Sequence, residues 1–346
     1  MTGSIQVSEV GAEAASQWDA FVAAHRDASA YHAWHWREIM TREFGCTSHY
    51  LVARDSSGGW CGVLPLVRLR SVLFGDFLVS LPFFNYGGVL AKGPEADAAL
   101  MTAAGALGER LGVSHIEFRD QQARPGWPVR TDKVAMLLDL APTSDAQWTA
   151  FNSKLRNKIK RPEREGVTTR FGGAELVADF YRVFAQNMRD LGTPVYAPSL
   201  FRRITERLPD AARVSVVYVK GRPVAAGFTL RHGDRMEIPW ASSLREWNAA
   251  KVNMHLYWSV LKDAIESGVR QFDFGRSSVN SGTYDFKAQW GAKPRQLYWH
   301  YWLRSGQAMP NLTPNSPKYA LAIRAWQRLP VPIANMLGPW IVRRLP

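Results

Sequence analysis

Cysteine is almost absent. Cys46 and Cys61 are the only two in 346 residues, and neither forms a CxxC pair nor sits at metal-ligand spacing. That excludes a disulfide framework and agrees with a reducing cytoplasm. Long hydrophobic runs are missing too. The longest, Val72 to Leu90, is interrupted by Asp76, Pro82, Asn85, Gly87 and Gly88, and reads as two strands rather than a spanning helix. The N-terminal MTGSIQVSEV has no basic n-region and no apolar h-region, so no secretory signal is expected. No Walker A or Rossmann fingerprint appears. No Ser-His-Asp or Cys-His signature stands out, which disfavours a covalent intermediate. Acidic residues are scarce: 30 Asp and Glu face 43 Lys and Arg, for a net charge of +13. From Pro310 onward there is no acid at all, against Lys318, Arg324, Arg328, Arg343 and Arg344.

The length suggests two domains or one large one. With 46% hydrophobic and 21% charged residues, the composition is that of a soluble globular protein with real cores. Fourteen tryptophans are enough to line a cleft as well as fill a core. The positive charge favours a polyanionic partner: tRNA, a nucleotide- or pyrophosphate-linked substrate, or an anionic membrane surface. A generically basic surface is the plainer reading, and charge alone does not choose.

Taken in order, Ile5 to Val7 starts a strand, Ser16 to His25 and Trp34 to Phe44 read as helices, and Leu51–Arg54 with Cys61–Leu69 reads as a hairpin. Ala96 to Leu111 is an Ala-rich helix. His115–Phe118 is a strand, and Val134–Leu140 is another that should close a first domain. Trp148 to Gly166 crowds Lys154, Arg156, Lys158, Lys160, Arg161 and Arg164 into one segment, with Lys154, Lys158 and Arg161 on one helical face. Pro162 should kink or end that helix. Leu176–Leu191 and Leu200–Arg207 are helical, Val214–Lys220 and Val224–Arg231 form a hairpin, and Met236–Trp240 is the next strand. The recurrence of helix, helix, meander, helix and strand in both halves suggests duplication.

The most informative stretch is Gln271 to Ala292, QFDFGRSSVNSGTYDFKAQWGA. Gln271–Gly275 alternates polar and aromatic residues, the period of a half-buried strand, and follows a helix over Asn253–Gly268. Arg276, Ser277 and Ser278 open a polar loop. Tyr284, Phe286 and Trp290 then crowd around Lys287. A cation among aromatics suits an anion or developing negative charge; the alternative is a lysine snorkelling over apolar surface.

Asp273-Phe274-Gly275-Arg276, Gly282-Thr283-Tyr284, Phe286-Lys287 and Trp290-Gly291 together resemble the signature of FemAB-type transferases, in particular the branch beside exosortase and exopolysaccharide loci. The resemblance runs from about Trp34 to about Leu303. It implies an α+β fold of tandem GNAT-like acyltransferase domains, mixed sheets flanked by helices. These would be residues 1–142, residues 143–305 with the main site, and a basic segment 306–346 packing back on the first domain. It implies N-(amino)acyl transfer from aminoacyl-tRNA or an acyl thioester to an amine of a cell-envelope or exopolysaccharide precursor, nucleotide- or lipid-linked. No cofactor or metal is expected. The location would be the cytoplasm, with the basic tail also fitting a contact with the inner membrane.

The resemblance implies that Lys287 assists the transferring group or a substrate phosphate; removal of the amine proton needs a base, for which Asp285 is a candidate. Asp273 is the other candidate, though a strand carboxylate there is more readily structural. Arg276, Ser277, Tyr284, Phe286, Trp290, Tyr196, Trp240, Tyr86, Lys158 and Arg161 are expected to contact substrate. The acetyl-CoA loop of GNAT enzymes, [Q/R]-x-x-G-x-[G/A], has no match here, which argues against CoA as donor. The rival is a non-catalytic GNAT-fold protein that holds a glycan or lipid-linked precursor.

Overall fold

The computed structural model describes residues 4–71, 75–310 and 317–343. Val72 to Phe74 and Arg344, which figure in the expectations above, lie outside them. In chain order the strands and helices are β1 (Gln6–Val10), α1 (Ala15–Ala24), α2 (Trp36–Phe44), β2 (Thr47–Arg54), β3 (Trp60–Ser71), β4 (Gly75–Val79), β5 (Leu90–Ala91), α3 (Pro94–Leu111), β6 (His115–Asp120) and β7 (Val129–Arg130). There follow β8 (Val134–Asp139), α4 (Ser144–Ala150), α5 (Ser153–Lys160), β9 (Val167–Gly172), α6 (Val177–Leu191), α7 (Pro198–Arg207), β10 (Ala212–Val219), β11 (Arg222–His232), β12 (Arg235–Ser243) and α8 (Val252–Glu266). The last are β13 (Gln271–Ser277), α9 (Gly282–Ala288), β14 (Lys293–Gln296), β15 (Tyr298–Leu303), α10 (Pro317–Gln327) and α11 (Val331–Val342).

Two compact units result. The first takes Met1–Val134, Gln296–Asn311 and Arg343–Pro346; the second takes Ala135–Arg295 and Leu312–Val342. Each is built on one mixed sheet. The first sheet runs β1-β2-β3-β4-β6-β15-β7, with β5 pairing β3 off that path. Read from β9, the second runs β9-β10-β11-β12-β13-β8-β14, the same plan repeated. In each, four strands form an antiparallel meander, and a helix (α3 or α8) then crosses to a strand that pairs in parallel: β4 with β6, β12 with β13. The architecture is α+β, two similar mixed sheets flanked by helices.

The strand after each parallel pair comes from the other half of the chain. β8 was expected to close the first domain. It lies instead beside β13 in the second sheet, where Leu140 N–H donates to Arg270 O at 2.8 Å and Gln271 Nε2 to Asp139 Oδ1 at 2.8 Å. β15 lies in the first sheet, paired antiparallel with β6 from Tyr298–Asp120 to Leu303–His115. The C-terminal helices also depart from expectation. α10 and α11 group with the second unit and pack on its α6, with Arg189 Nη1 donating to Leu329 O at 3.0 Å.

The basic segment is two helices and a turn, not one helix. α4 stops at Phe151, and the Asn152 side chain caps α5 by accepting from Leu155 N–H at 2.9 Å. Leu155 and Ile159 face inward, leaving Lys154 and Arg161 exposed and Lys158 half-buried. Pro162 ends the α-helix as anticipated, and a 3-10 turn over Arg161–Glu165 follows.

Candidate functional site

In the second unit, β12 and β13 pair in parallel only over Arg235–Gln271, Met236–Phe272 and Glu237–Asp273. Yet β12 runs on to Ser243 and β13 to Ser277, so the strands part after Asp273. Parting strands leave backbone groups without ladder partners, and the side chains there decide what fills the gap. Glu237 and Asp273, directly paired, are both buried. Asp273 Oδ1 accepts from Gly275 N–H at 2.7 Å, and Gly275 has φ +76°, which glycine adopts freely.

Lys287 closes this end. The turn over Ser278–Ser281 leads into α9, whose N-cap is Ser281, its Oγ accepting from Tyr284 N–H at 3.2 Å. One helical turn later Lys287 is buried, and its Nζ donates to Gly275 O at 3.0 Å and Arg276 O at 2.8 Å. Burial pushes this ammonium down to about 8; the Asp273 and Glu237 carboxylates oppose the shift and Arg276 adds to it. An ammonium has three donors, and the two carbonyls engage two of them. The third can serve a ligand oxygen. Ser277, the next residue along β13, is buried with no hydrogen-bond partner for its Oγ, the kind of orphan that a bound molecule satisfies.

The aromatics serve differently from the sequence expectation. Lys287 is held by carbonyls, while Phe286 packs edge-on against Tyr257 of α8 at 5.0 Å and Trp290 packs against Phe151, Tyr257 and Phe274. Trp290 Nε1 is buried without a partner. Tyr284 is half-buried on α9, and Arg276 is exposed at the strand end. Asp285 is exposed, two positions before Lys287 and so on the other side of the helix, whereas Asp273 shares the lysine's buried surroundings. Lys158 reaches the same region, its Nζ donating to Gln289 Oε1 at 2.8 Å; Arg161 is exposed in the following turn.

Tyr196 and Trp240 form an edge-to-face pair at 6.0 Å, with Trp240 buried against Phe201 and Phe228. Trp240 is therefore a core aromatic rather than a cleft wall, and Tyr196 is half-buried at its rim. Tyr86 belongs to the first unit, buried near Tyr31. Among the described residues, no group of three or more His, Cys, Asp or Glu could hold a metal ion.

Sequence reasoning missed Glu237 and the matching place in the first unit. There β4 and β6 pair only over Leu78–Ile116 and Val79–Glu117, and β6 runs on to Asp120. That opening is filled from within. Arg119 Nε donates to Glu117 Oε1 at 2.7 Å, Arg119 Nη1 to Phe84 O at 2.6 Å, Arg119 N–H to Ser80 Oγ at 3.0 Å, and Tyr301 O–H to Glu117 Oε2 at 2.6 Å. Nearby, His300 Nδ1 meets Asp120 Oδ2 at 3.0 Å, and Arg124 bridges Asp120 and Asp97. A cavity of about 690 Å³, lined by His25, Lys92, Asp97 and Arg124 among others, opens beside Arg124. The Tyr301–Glu117 and His300–Asp120 pairs could not have been found without knowing that β15 joins β6.

The sequence of the second half also resembles a known kind of domain. Residues 150–288 match the family described as acetyltransferase (GNAT) domain. That match, over less than half of the chain, is a likeness to GNAT-type acyltransferase domains. Its end falls at Ala288, one residue past Lys287. Over 162 residues the chain is 25% identical to a UDP-N-acetylmuramoylpentapeptide-lysine N(6)-alanyltransferase of Weissella viridescens, a match covering 45% of this chain and 48% of that protein. The chain thus spans about half the length of the curated relative it matches. Among solved structures, FemX superposes with a TM-score of 0.66 at 13% identity, covering 85% of this chain and 96% of that one. L-PGS from Bacillus licheniformis gives 0.59 at 13%, covering 93% and 99%. A tandem GNAT protein from the clavulanic acid biosynthesis pathway gives 0.54 at 13%, covering 88% and 100%. At these identities the likeness is one of fold, and it agrees with two GNAT-like units in tandem.

Proposed function

We propose that the chain is a FemAB-like N-(amino)acyltransferase. It takes an aminoacyl or acyl group from aminoacyl-tRNA or an acyl thioester and attaches it to an amine of a cell-envelope or exopolysaccharide precursor, nucleotide- or lipid-linked, at the cytoplasmic side of the inner membrane. The observation that carries this reading is Lys287, buried at the parted end of β13 inside the GNAT-like segment, with one donor left over. The alanyltransferase relative and the FemX-like fold support the FemAB assignment.

In such a transfer the amine nitrogen attacks the carbonyl carbon, and the carbonyl oxygen becomes an oxyanion. The tetrahedral species then releases the ribose oxygen or the thiol, which carries away the proton lost by the amine. The free donor of Lys287 fits the oxyanion, since a preplaced cation in a dry site stabilises developing charge far better than water does. Ser277 Oγ is a second donor at the same strand end. Asp273 is better placed than Asp285 to influence the proton, because it shares the lysine's pocket.

The test is turnover: labelled aminoacyl-tRNA and acyl thioesters are incubated with amine-bearing precursors, with mass spectrometry of copurifying ligands to guide the choice. Amide formation that depends on the chain supports the reading. Tight precursor binding with no transfer from either donor class would instead make the protein a carrier. Arg276→Ala, at the exposed strand end, is expected to raise KM more than it lowers kcat.

The α5 face supplies a further expected result. Lys158→Glu with Arg161→Glu should weaken tRNA binding, and the wild-type affinity should fall steeply with salt, with the slope reduced by roughly 2 in the double variant if both cations meet phosphates. A filter-binding titration at several salt concentrations measures both. Unchanged affinity would leave this face merely solvated.

A further inference from the structure

Helix α11 is packed the wrong way round for an ordinary surface helix. Its buried positions are Ala334, Gly338 and Val342, one turn apart. A Cβ at Gly338 would come within 2.8 Å of both the backbone N and the backbone O of Val195, so only glycine lets the helix lie this close to that loop. The large apolar residues point outward. Met336 and Trp340 are each 64% exposed, and Ile333, Leu337 and Ile341 are exposed beside them. α10 adds Leu321, 73% exposed, and Ile323. Of the ten exposed large hydrophobics among the described residues, seven fall within residues 321–341, so they concentrate in the last two helices, and Ile333, Met336, Leu337, Trp340 and Ile341 recur at helical spacing along α11.

Its charge says what covers it. Arg324 and Arg328 are exposed on and just after α10, and no Asp or Glu occurs from Pro310 to the end of the sequence. A second copy would bring the same cations against these, an unfavourable match. α11 has 12 residues and contains Pro339; at this length it reaches about 18 Å, short of the roughly 30 Å hydrocarbon core. Among the described residues no helix is long and apolar enough to cross a membrane. A short helix with a broad apolar face and basic flanks lies in the plane of an interface.

We infer that α10 and α11 dock on an anionic lipid surface, with Ile333, Met336, Leu337, Trp340 and Ile341 entering the acyl boundary and Arg324 and Arg328 meeting lipid phosphates. This gives residues to the peripheral membrane contact in the function proposed above, and rests on that reading only in expecting an acceptor at the membrane.

The test is flotation of the full chain with phosphatidylcholine vesicles, with and without phosphatidylglycerol, and with no donor or acceptor present. Binding should require phosphatidylglycerol and weaken with salt. Met336→Gln with Trp340→Gln should lower the partition coefficient about tenfold or more, and Arg324→Glu with Arg328→Glu about as much. Both pairs are solvent-facing, and the charge-reversal pair keeps the test open should the apolar pair fold poorly. No wild-type binding, equal binding to neutral vesicles, or indifference to both variants would overturn the inference. So would a dimer in light scattering that the apolar variant dissociates, which would assign the face to a second copy. Because no turnover is read, failure here leaves the transferase reading standing.

Discussion

Lys287→Met is expected to keep the fold and lose about 99% of turnover, since one preplaced oxyanion donor is worth on the order of 3 kcal/mol in the barrier. The side chain is nearly isosteric along its stem, so packing at the strand end is largely retained. Two carbonyls, Gly275 O and Arg276 O, lose a charged donor. Against that loss, the native chain no longer has to bury an ammonium. The two effects oppose each other, so the melting temperature should move little while kcat falls. Near-wild-type kcat in a stable variant would make the lysine a strand-end brace and move the site elsewhere.

The same residue sets a pH dependence. With the Lys287 ammonium held near 8 by burial, turnover that relies on the cation should decline as pH rises through about 8. A kcat profile that rises there instead would mean the neutral amine acts as a base. The stability sign is independent of the mechanism. The folded value lies below the ordinary 10.5, so between about 8 and 10.5 the unfolded chain holds a proton that the native chain has shed. Stability from this group therefore increases with pH across that window.

Glu117→Ala should be among the most destabilising single changes in the first unit. Its carboxylate is paired with Arg119 at 2.7 Å, and both side chains are 5% exposed. Removing one member leaves the guanidinium buried and uncompensated, at a cost of about 3–5 kcal/mol. Tyr301 also loses the acceptor for its hydroxyl. Burial alone would push the Glu117 carboxyl up, but Arg119 and the Tyr301 hydroxyl outweigh it and hold the carboxyl below the usual carboxylate range. The native value being the lower one, this stabilisation is full above the ordinary carboxylate pKa and is lost as pH falls through the native value. Thermal melts at neutral and acid pH check both claims: the variant should melt far below the wild type at neutral pH, and the gap should narrow on acidification. A melt indistinguishable from wild type would show that the pair contributes nothing net.

Much of this was legible in the sequence because it is local. The periodicities of α3, α6, α8, β10 and β11, the stop at Pro162 and the strand before the Lys287 loop depend on neighbours a few residues away. The duplicated element order pointed to two similar sheets. Pairing was not legible. β8 and β15 look like any half-buried strands, and nothing in either says that it joins the sheet of the other half. For the same reason Glu237 went unnoticed, since its partner Asp273 lies 36 residues on and across a helix. Trp240 and Asp285 differ in opposite directions from what their sequence neighbours suggest about burial. An aromatic before a polar loop suggests a cleft wall, but Phe201 and Phe228 bury it; a carboxylate beside the key lysine suggests a base, but the helical turn carries it to the outside.

The traded strands bear on how the chain comes off the ribosome. His300 meets Asp120 across a separation of 180 residues, so when β6 emerges its sheet partner has not been made. The unpaired side of β6, with Glu117, Arg119 and Asp120 along it, waits while the entire second half is synthesised. Open strand edges attract other chains, and contacts this distant form slowly. The first unit should therefore be a ward of chaperones until Leu303 is free, and cutting the protein into its two sequence halves should yield two sheets each lacking an interior strand, not two working domains.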